Sequence, residues 1–475
     1  MAIIQWIITI IRHLNSVIPM STQASLPRLP SRFPGDHLLA FRRDALGFLQ
    51  HAKRTCGDVA EFRLGPEHAV LITHPDHVRD ILVTHHRQFV KARRGDVSKQ
   101  FLGEGLLNSE GAIHRRQRRL SQPAFHRQRL STYAAVMTDH SARLREQWRD
   151  GDTLDMAQAM MHLTLGIAGK TLFNTDVEAE ALAIGNAISD LLQYSTRASL
   201  PLADLILKLP LPSNRRVRRA QQFLDTTIYR IIEERRAENT DCGDLLSMLL
   251  LAQDEAEDGT GMTDKQVHDE ALTLMLAGHE TTAVALTWTW YLLSQHPEVE
   301  AKLHEELCAV LGDRLPTFDD LEPLTYTRMV LTESMRLYPP AWLMTRRNLE
   351  AYDLGDYTLP ARTFILISPY LTQRDPRFFD APEQFQPERW ALNPSGPKYA
   401  YFPFGGGPRQ CIGEGFAWME GILVLATLAQ QWHMQLVPGH PVGVKPLVTL
   451  RPKAGMRMTL AQHQARHTPG VLISP

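Results

Sequence analysis

The chain has few cysteines, almost no net charge and no long apolar run, and each of these features excludes a class of protein. It contains four cysteines in 475 residues, and none forms a C-x-x-C pair. This pattern argues against a disulfide scaffold or a zinc site and indicates a reducing compartment. A formal net charge of −1 and a pI near 7.1 argue against a dedicated nucleic-acid-binding protein.

Residues 2–11 form the stretch that most resembles a membrane anchor, but Gln5 and Thr9 interrupt it. A membrane-spanning helix needs about 20 apolar residues, so this stretch is too short to cross a bilayer. No positive charge precedes it, which disfavours a signal peptide. We therefore expect a cytoplasmic protein, and weak peripheral membrane association through residues 2–11 stays open as an alternative.

The organisation of the chain indicates one large unit. Hydrophobic residues make up 44% of the sequence, enough for a large core, and no low-complexity linker or internal repeat divides it. We expect an N-terminal extension with a proline-rich lead-in over residues 1–36, one domain over residues 37–462, and a C-terminal tail over residues 463–475. We also expect a monomer.

Helical periodicity dominates the middle of the chain, whereas strand patterns are short and few. Residues 58–73 alternate around a Gly-Pro turn and predict a β-hairpin, and residues 356–368 are also strand-like. The predicted helices cover residues 131–150, 155–173, 177–197, 214–237, 242–254, 264–295, 297–311 and 416–431. The fold class is therefore mainly α with a small β portion.

A glycine-rich loop at residues 404–413 presents Cys411 immediately before an apolar segment that reads as a helix. A thiolate there receives the positive end of the helix dipole and the N–H groups of a glycine-permissive turn. These conditions favour an anionic sulfur that can hold a metal. Arg409, two residues earlier, can pair with a carboxylate beside that metal.

The loop resembles the haem-binding signature of the cytochrome P450 family, Phe-x-x-Gly-x-Arg-x-Cys-x-Gly. The fixed positions are Phe404, Gly407, Arg409, Cys411 and Gly413. The resemblance implies the cytochrome P450 fold, with haem b (iron protoporphyrin IX) as cofactor. It also implies that Cys411 is the axial iron ligand, that Arg409 meets a haem propionate and that Phe404 belongs to the cofactor site.

A second motif, residues 277–282, lies in the middle of the longest predicted helix. Glycine and threonine lower helix stability, and a buried acidic side chain is costly. The segment could be a solvated acidic face, but apolar residues on most sides indicate that it is buried, so a functional role is expected. It resembles the family's oxygen-activation motif. By that resemblance Gly278 loosens the helix into a groove beside the iron, Thr281 hydrogen-bonds the oxygen ligand or a water, and Glu280 helps relay protons.

A third motif is a Glu-x-x-Arg pair, Glu333 and Arg336, followed later by Arg389. Alone, two such residues three apart are an ordinary surface pair. In the family's order and context, the three residues are implied to form a buried ionic network that holds the core around the haem. Their expected role is structural.

Three further basic residues are implied to hold haem propionates. His114 and Arg118 lie one helical turn apart and can point the same way. Many family members carry tryptophan where this chain has His114. Of the adjacent pair Arg346 and Arg347, we expect Arg346 to meet the other propionate. His114 and Arg118 belong to a basic run at residues 114–119, whose other arginines, Arg115, Arg116 and Arg119, are expected to face outward. They are either a docking surface for an acidic electron donor or a plain solvated face.

Together these motifs predict a haem-thiolate monooxygenase that inserts one oxygen atom from O2 into an apolar small molecule, such as a fatty acid, terpene or steroid-like compound. No dinucleotide fingerprint occurs, so we expect electrons from a ferredoxin or flavodoxin with its reductase. Residues 100–107, residues 188–211, the turn before Gly278 and residues 341–344 are expected to line the substrate pocket. A haem-thiolate isomerase or dehydratase and a non-catalytic haem sensor remain alternatives, although both would dispense with Glu280 and Thr281.

Overall fold

The protein is described by a computed structural model. The residues it describes are 24–92, 99, 102–174, 181–197, 209, 211–238, 241–253, 259–391 and 396–463. The predicted anchor at residues 2–11, the C-terminal tail beyond residue 463 and much of the predicted pocket segment 188–211 lie outside these ranges.

Fourteen α-helices are assigned among the described residues. In chain order they are α1 (Asp36–Arg43), α2 (Ala45–Cys56), α3 (Pro75–Arg79), α4 (Gly111–Ser121), α5 (Arg127–Gln147), α6 (Met156–Phe173), α7 (Ala181–Arg197), α8 (Pro212–Glu238), α9 (Leu245–Leu251), α10 (Asp264–Gln295), α11 (Pro297–Leu311), α12 (Thr325–Leu337), α13 (Pro369–Thr372) and α14 (Glu414–Ala429).

The strands are short and form four small sheets among the described residues. They are β1 (Val59–Leu64), β2 (Glu67–Ile72), β3 (Phe89–Val90), β4 (Thr153–Asp155), β5 (Met344–Asn348), β6 (Tyr352–Leu354), β7 (Tyr357–Leu359), β8 (Phe364–Ile367), β9 (Trp432–Leu436), β10 (Val444–Pro446), β11 (Leu450–Pro452) and β12 (Arg457–Gln462).

The largest sheet has the order β1-β2-β8-β5-β3. The β1–β2 hairpin pairs Val59 with Ile72 in antiparallel register, and β2 then pairs in parallel with β8. The other sheets are β4-β12-β9, β10-β11 and β6-β7. Residues of the helices make up most of the main hydrophobic cluster, whereas β1, β2 and β8 contribute to two smaller clusters.

Helix α10 runs through the main hydrophobic cluster and packs most extensively against α6. It begins with a capping box, in which Thr263 and Gln266 satisfy each other's backbone N–H groups. It ends at Gln295, two residues before Pro297, since the residue before a proline disfavours helical geometry. Most residues of α10 are buried, so neighbouring elements cover the greater part of its surface.

The predicted mainly-α class is confirmed, with 57% helix and 13% strand. The predicted hairpin forms as β1 and β2. The helix predicted over residues 242–254 is shorter, because Asp244 caps it by accepting a hydrogen bond from the N–H of Ser247. No helix within the described ranges is apolar over a length sufficient to cross a membrane.

Candidate active site

The loop that carries Cys411 is held by backbone hydrogen bonds and by two glycines with positive φ. The N–H of Cys411 donates to the carbonyl of Phe404 at 3.0 Å, closing the loop immediately before α14. Gly407 has a φ of 65°, and a Cβ at this position would lie 2.0 Å from the carbonyl oxygen of Leu82. Only glycine fits such a close approach. The ring of Phe404 packs against Trp418 of α14, with centroids 5.6 Å apart.

The Cys411 side chain is exposed, yet the protein around it desolvates the thiol. Solvent reaches the side chain, although protein atoms surround most of it. Burial raises the pKa of the Cys411 thiol to about 11, although the N–H of Gly413 and the charge of Arg118 act in the opposite direction. The loop alone therefore does not keep the sulfur anionic, contrary to the expectation from sequence. A coordinated metal cation would supply the missing stabilisation.

Four basic side chains gather near this loop, and sequence analysis had singled out all four. His114 is buried in α4, and burial together with the nearby charges of Arg409, Lys91 and Arg118 lowers its pKa to about 3. Arg118 donates to the carbonyl of Gln410 at 2.8 Å. Burial and the charge of Arg409 lower the pKa of Arg346 to about 10.

Strand β5 separates the two adjacent arginines onto opposite faces. Arg346 is 8% exposed and feels the charge of Arg409. Arg347 instead pairs with Glu67 at 2.8 Å. The alternation of side chains along a strand explains this difference. Of the two, Arg346 is therefore the residue on the side of the basic cluster.

Sequence analysis missed Glu110, the carboxylate paired with Arg409. It also accepts a hydrogen bond from the backbone N–H of Lys91 at 2.9 Å. No local pattern could have revealed it, because its ion-pair partner lies 299 positions away in the chain.

This donor set fits a group that carries two carboxylates. Among the described residues, no acidic side chain forms an ion pair with Arg118 or Arg346, which donate to the carbonyls of Gln410 and Thr345, each at 2.8 Å. Buried cations are costly unless anions compensate them, so the cluster has capacity for further negative charge. A haem, with two propionates and an iron that the nearby Cys411 could ligate, would match this capacity.

The middle of α10 opens on one face although its flanks are buried. Ala277 is exposed and Gly278 and Thr281 are half-buried, whereas the residues on either side are almost all buried. The Thr281 hydroxyl donates to the carbonyl of Ala277 at 2.9 Å. The helix remains continuous through Gly278, and a Cβ at Gly278 would lie 3.5 Å from Leu172 of α6, in ordinary contact. We call the exposed stripe the groove face of α10.

Glu280 lies on a different face from Thr281. Its buried carboxylate accepts a hydrogen bond from Nε of Arg451 at 2.9 Å and pairs with Nη2 of the same arginine at 2.8 Å. The hydroxyl of Thr449 is a further donor. Arg451 also reaches Ser189 of α7 at 3.5 Å. Sequence analysis missed both Thr449 and Arg451, because they lie on and beside β11, far along the chain.

A buried carboxyl on α14, Glu420, was also missed. It is 0% exposed, and neither oxygen has a hydrogen bond of good geometry among the described residues. Burial raises the pKa of Glu420 to about 8, and the nearby Thr282 hydroxyl lowers it by less. Helices α10 and α14 pack together here. Glu420 is therefore mostly neutral at pH 7 and lies next to the residue that follows Thr281.

Glu333, Arg336 and Arg389 form one buried network. Arg336 donates through Nε and Nη2 to the two oxygens of Glu333, each at 2.8 Å, and Arg389 donates through Nε at 2.9 Å. The indole N–H of Trp390 and the backbone N–H of Gln386 complete the set of donors. Both Glu333 and Arg336 are fully buried, so the network fastens α12 to the segment around residue 389.

The other arginines of α4 differ in their surroundings. Arg115 and Arg119 are exposed. Arg116 donates to the carbonyls of Thr260 and Gly261, each at 3.0 Å, so it ties α4 to the loop before α10. The prediction of a uniformly outward basic face is therefore too broad.

Comparisons with known proteins agree with this geometry. The family model described as Cytochrome P450 matches residues 27–456. The chain is 40% identical over 418 residues to a cyclooctatin synthase of Streptomyces melanosporofaciens, covering 87% of this chain and 91% of that protein. It is 41% identical over 409 residues to a cyclooctat-9-en-7-ol 5-monooxygenase of the same organism, covering 85% and 88%. It is 37% identical over 418 residues to a pentalenene oxygenase of Streptomyces avermitilis, covering 87% and 91%.

Proposed function

The chain belongs to the cytochrome P450 family and is a haem-thiolate oxidoreductase of the monooxygenase class, and from that premise we propose that it oxygenates a terpenoid with haem b as cofactor. The observation that carries the proposal is that one cysteine in a glycine loop lies beside a cluster of four basic side chains, of which His114 and Arg346 are buried. That combination provides an axial sulfur and the counter-charge for two propionates.

In this proposal Cys411 binds the iron, and Arg118, Arg346, Arg409 and His114 hold the propionates. When bound, the haem supplies the activation of O2 and the transfer of one oxygen atom to an unactivated bond. The protein's own contribution is to orient the substrate, exclude water and place protons.

Proton placement is assigned to Thr281 and Glu280. The Thr281 hydroxyl lies on the groove face and donates to the Ala277 carbonyl. It can donate to a bound ligand instead. Glu280 is engaged by Arg451 and Thr449, so a relay through its carboxylate requires Arg451 to shift first. Thr281 therefore donates directly, and Glu280 resupplies protons only in a rearranged state.

The substrate assignment rests on the relatives. Their names specify cyclooctat-9-en-7-ol and pentalenene, both terpenoids. The groove face of α10 adds apolar surface for such a molecule. Because of the relatives' names, we favour terpenes over fatty acids and steroid-like molecules. Residues 341–344, beside β5, remain a proposed pocket segment.

The electron source is proposed to be a separate ferredoxin or flavodoxin with its reductase. The exposed side chains of Arg115 and Arg119 offer positive charge for an acidic partner. A monomeric state and a cytoplasmic location remain predictions from the sequence, and the cysteine pattern favours the latter.

Isotope labelling tests the proposal directly. The haem-loaded protein is incubated with pentalenene or cyclooctat-9-en-7-ol, a bacterial ferredoxin with its reductase, and 18O2, and the products are analysed by mass spectrometry. A product with one 18O atom and matching electron consumption supports a monooxygenase. A rearranged or dehydrated product without label, formed without electrons, would identify an isomerase or dehydratase. Absence of any product across a wider terpenoid library would favour a sensor.

A further inference from the structure

A short loop before α4 rests directly on the first half of α10. We call residues 103–109 the glycine loop. Its backbone N–H groups meet two adjacent carboxylates: the N–H of Glu104 donates to Asp269 and the N–H of Leu106 donates to Glu270, each at 2.9 Å. The bond to Asp269, which is ionised, is charge-assisted and therefore stronger than a bond between neutral groups. Side chains of α10 therefore hold the loop in place.

Two glycines permit this close seating. A Cβ at Gly103 would lie 2.1 Å from the carboxyl carbon of Asp269, and Gly103 has a φ of 58°. A Cβ at Gly105 would lie 2.3 Å from the Thr273 hydroxyl and 2.4 Å from the carbonyl oxygen of Asp269. At Gly105 the clash is with the backbone of α10, so a larger residue there would move the loop away from the helix. At Gly103 a larger residue would displace the Asp269 carboxylate, and the positive φ disfavours it as well.

The loop sits at one end of the groove face. Thr273 is buried and lies one helical turn before Ala277 of the groove face, and Ala277 in turn lies one turn before Thr281. At a rise of 1.5 Å per residue, Thr273 lies about 12 Å from Thr281 along the helix. Because Gly105 contacts Thr273, the loop lies beside the amino-terminal end of the groove face.

We propose that Asp269 and Glu270 are positioning residues that act through the backbone of the glycine loop, and that the seated loop retains an apolar ligand over the groove face. The inference deepens the proposed function and rests on it, since it takes the groove face as the place of the substrate. Neither carboxylate is assigned any contact with the substrate itself.

The two carboxylates differ in charge state. Glu270 is 0% exposed, and burial raises its pKa to about 7, with Asp269 acting in the same direction and the N–H of Leu106 in the opposite one. Burial also raises the pKa of Asp269, but hydrogen bonds from His268 and Lys265 bring it below its ordinary value. Asp269 therefore stays ionised while Glu270 titrates near neutral pH.

The charged groups around this pair extend to two other elements. On α10 they are Lys265, His268 and Asp269. Asp225 of α8 pairs with His268 at 3.1 Å, and Glu104 of the loop acts on Lys265. Among these charged groups, Asp269 is the one that acts directly on the pKa of Glu270.

The sign of the pH effect follows from linkage. Lifting the loop lets water reach Glu270, which returns its pKa toward the ordinary value near 4.3. Because the seated state has the higher pKa, seating takes up a proton. Retention of the loop is therefore strongest at low pH and is lost as pH rises through about 7.

Amide hydrogen exchange of the segment 102–110, in the haem-loaded protein at pH 6 and pH 8, tests the seating without any substrate. After correction for intrinsic exchange, Leu106 should be protected more strongly at pH 6. Glu270→Gln, which keeps a neutral acceptor, should hold the protection at both pH values. Glu270→Ala should lower it about tenfold, the loss expected from one such hydrogen bond.

A matched control exists on α11. Burial raises the pKa of Glu300 to about 7, and it too accepts a backbone hydrogen bond, from Met434. Glu300→Gln and Glu300→Ala should leave protection of residues 102–110 unchanged. Equal effects of Glu270→Ala and Glu300→Ala would reveal a general loss of stability and overturn the proposal. So would a pH dependence that persists in Glu270→Gln.

Retention is tested with 4-phenylimidazole, an apolar azole that ligates haem iron, and with imidazole as the small comparison ligand. Gly105→Ala and Glu270→Ala should each raise the dissociation constant of 4-phenylimidazole about tenfold and leave that of imidazole within twofold. Equal changes for both ligands would place the defect at the haem and contradict the proposal. If these results hold but no terpenoid is oxygenated, the proposed function fails while the loop inference stands.

Discussion

Two fully buried glutamates show how differently this fold treats charge in its supporting network and beside its groove face. Glu333 receives hydrogen bonds from Arg336, Arg389, Trp390 and the backbone of Gln386. Glu420 receives none of good geometry among the described residues, and burial raises its pKa to about 8. In the network, hydrogen bonds and ion pairs compensate the negative charge of Glu333. Next to α10, burial keeps Glu420 mostly protonated at neutral pH, so its negative charge does not form.

The difference follows from what each region must do. A compensated ion pair fixes α12 rigidly and has no capacity to bind anything else. An uncompensated carboxyl stays protonated at neutral pH and can still exchange that proton. Regions that support the fold satisfy their polar groups internally, whereas the neighbourhood of Thr281 keeps several polar groups available.

The largest effect should come from breaking the compensated network. Arg336→Leu leaves the Glu333 charge buried and partly unpaired, so the free energy of unfolding should fall by about 3–5 kcal/mol. Denaturant unfolding of the haem-loaded protein measures the change. Arg230→Leu, which breaks an exposed pair with Glu234 at 3.1 Å, should cost at most about 1 kcal/mol. Similar losses in the two variants would refute the contrast.

Replacing the uncompensated carboxyl should have the opposite sign. Glu420 has a raised pKa in the folded state, so its contribution to stability is fully present below the unfolded pKa and is lost as pH rises through about 8. Glu420→Gln should remove this slope, so it should stabilise the protein at pH 8 by about 3–4 kcal/mol more than at pH 5, because each pKa unit is worth about 1.4 kcal/mol. Unfolding at both pH values provides the comparison, and a slope identical to that of the wild type would contradict it.

The smallest effect on stability, but a clear one on chemistry, should come from the groove face. Thr281→Ala should keep the haem and the fold while the ratio of product to electrons consumed falls about tenfold, with the difference appearing as peroxide. Thr287 makes the same kind of bond within α10, to the carbonyl of Ala283 at 2.7 Å, and is fully buried. Thr287→Ala should leave the coupling ratio intact. Unchanged coupling in Thr281→Ala would remove Thr281 from the proton path.

Local patterns were enough to predict much of this molecule. The loop residues Arg409 and Cys411 lie two positions apart, and Glu333 and Arg336 lie one helical turn apart, so sequence alone could group them. The long apolar helix over residues 264–295 was predicted with the bounds that the structure gives. Such features depend on neighbours within a few residues.

Other parts depend on tertiary contacts that no local pattern encodes. Arg451 donates a hydrogen bond to Glu280, which lies 171 positions earlier in the chain. The packing of β11 against α10 brings the two residues together. The missing hydrogen bonds of Glu420 are a property of the packed helices, since the residue itself looks like any other glutamate in a helix. The pKa of Cys411 likewise depends on how much protein surrounds the loop, which sequence patterns do not report.

The absorption spectrum of the reduced carbon monoxide complex tests the central claim most directly. The wild type should show the strongly red-shifted Soret band of thiolate ligation, and Cys411→Ser should lose it. Cys308→Ser, which replaces another exposed cysteine, should retain the band. A red-shifted band that survives in Cys411→Ser, or a wild-type spectrum typical of nitrogen ligation, would contradict the account.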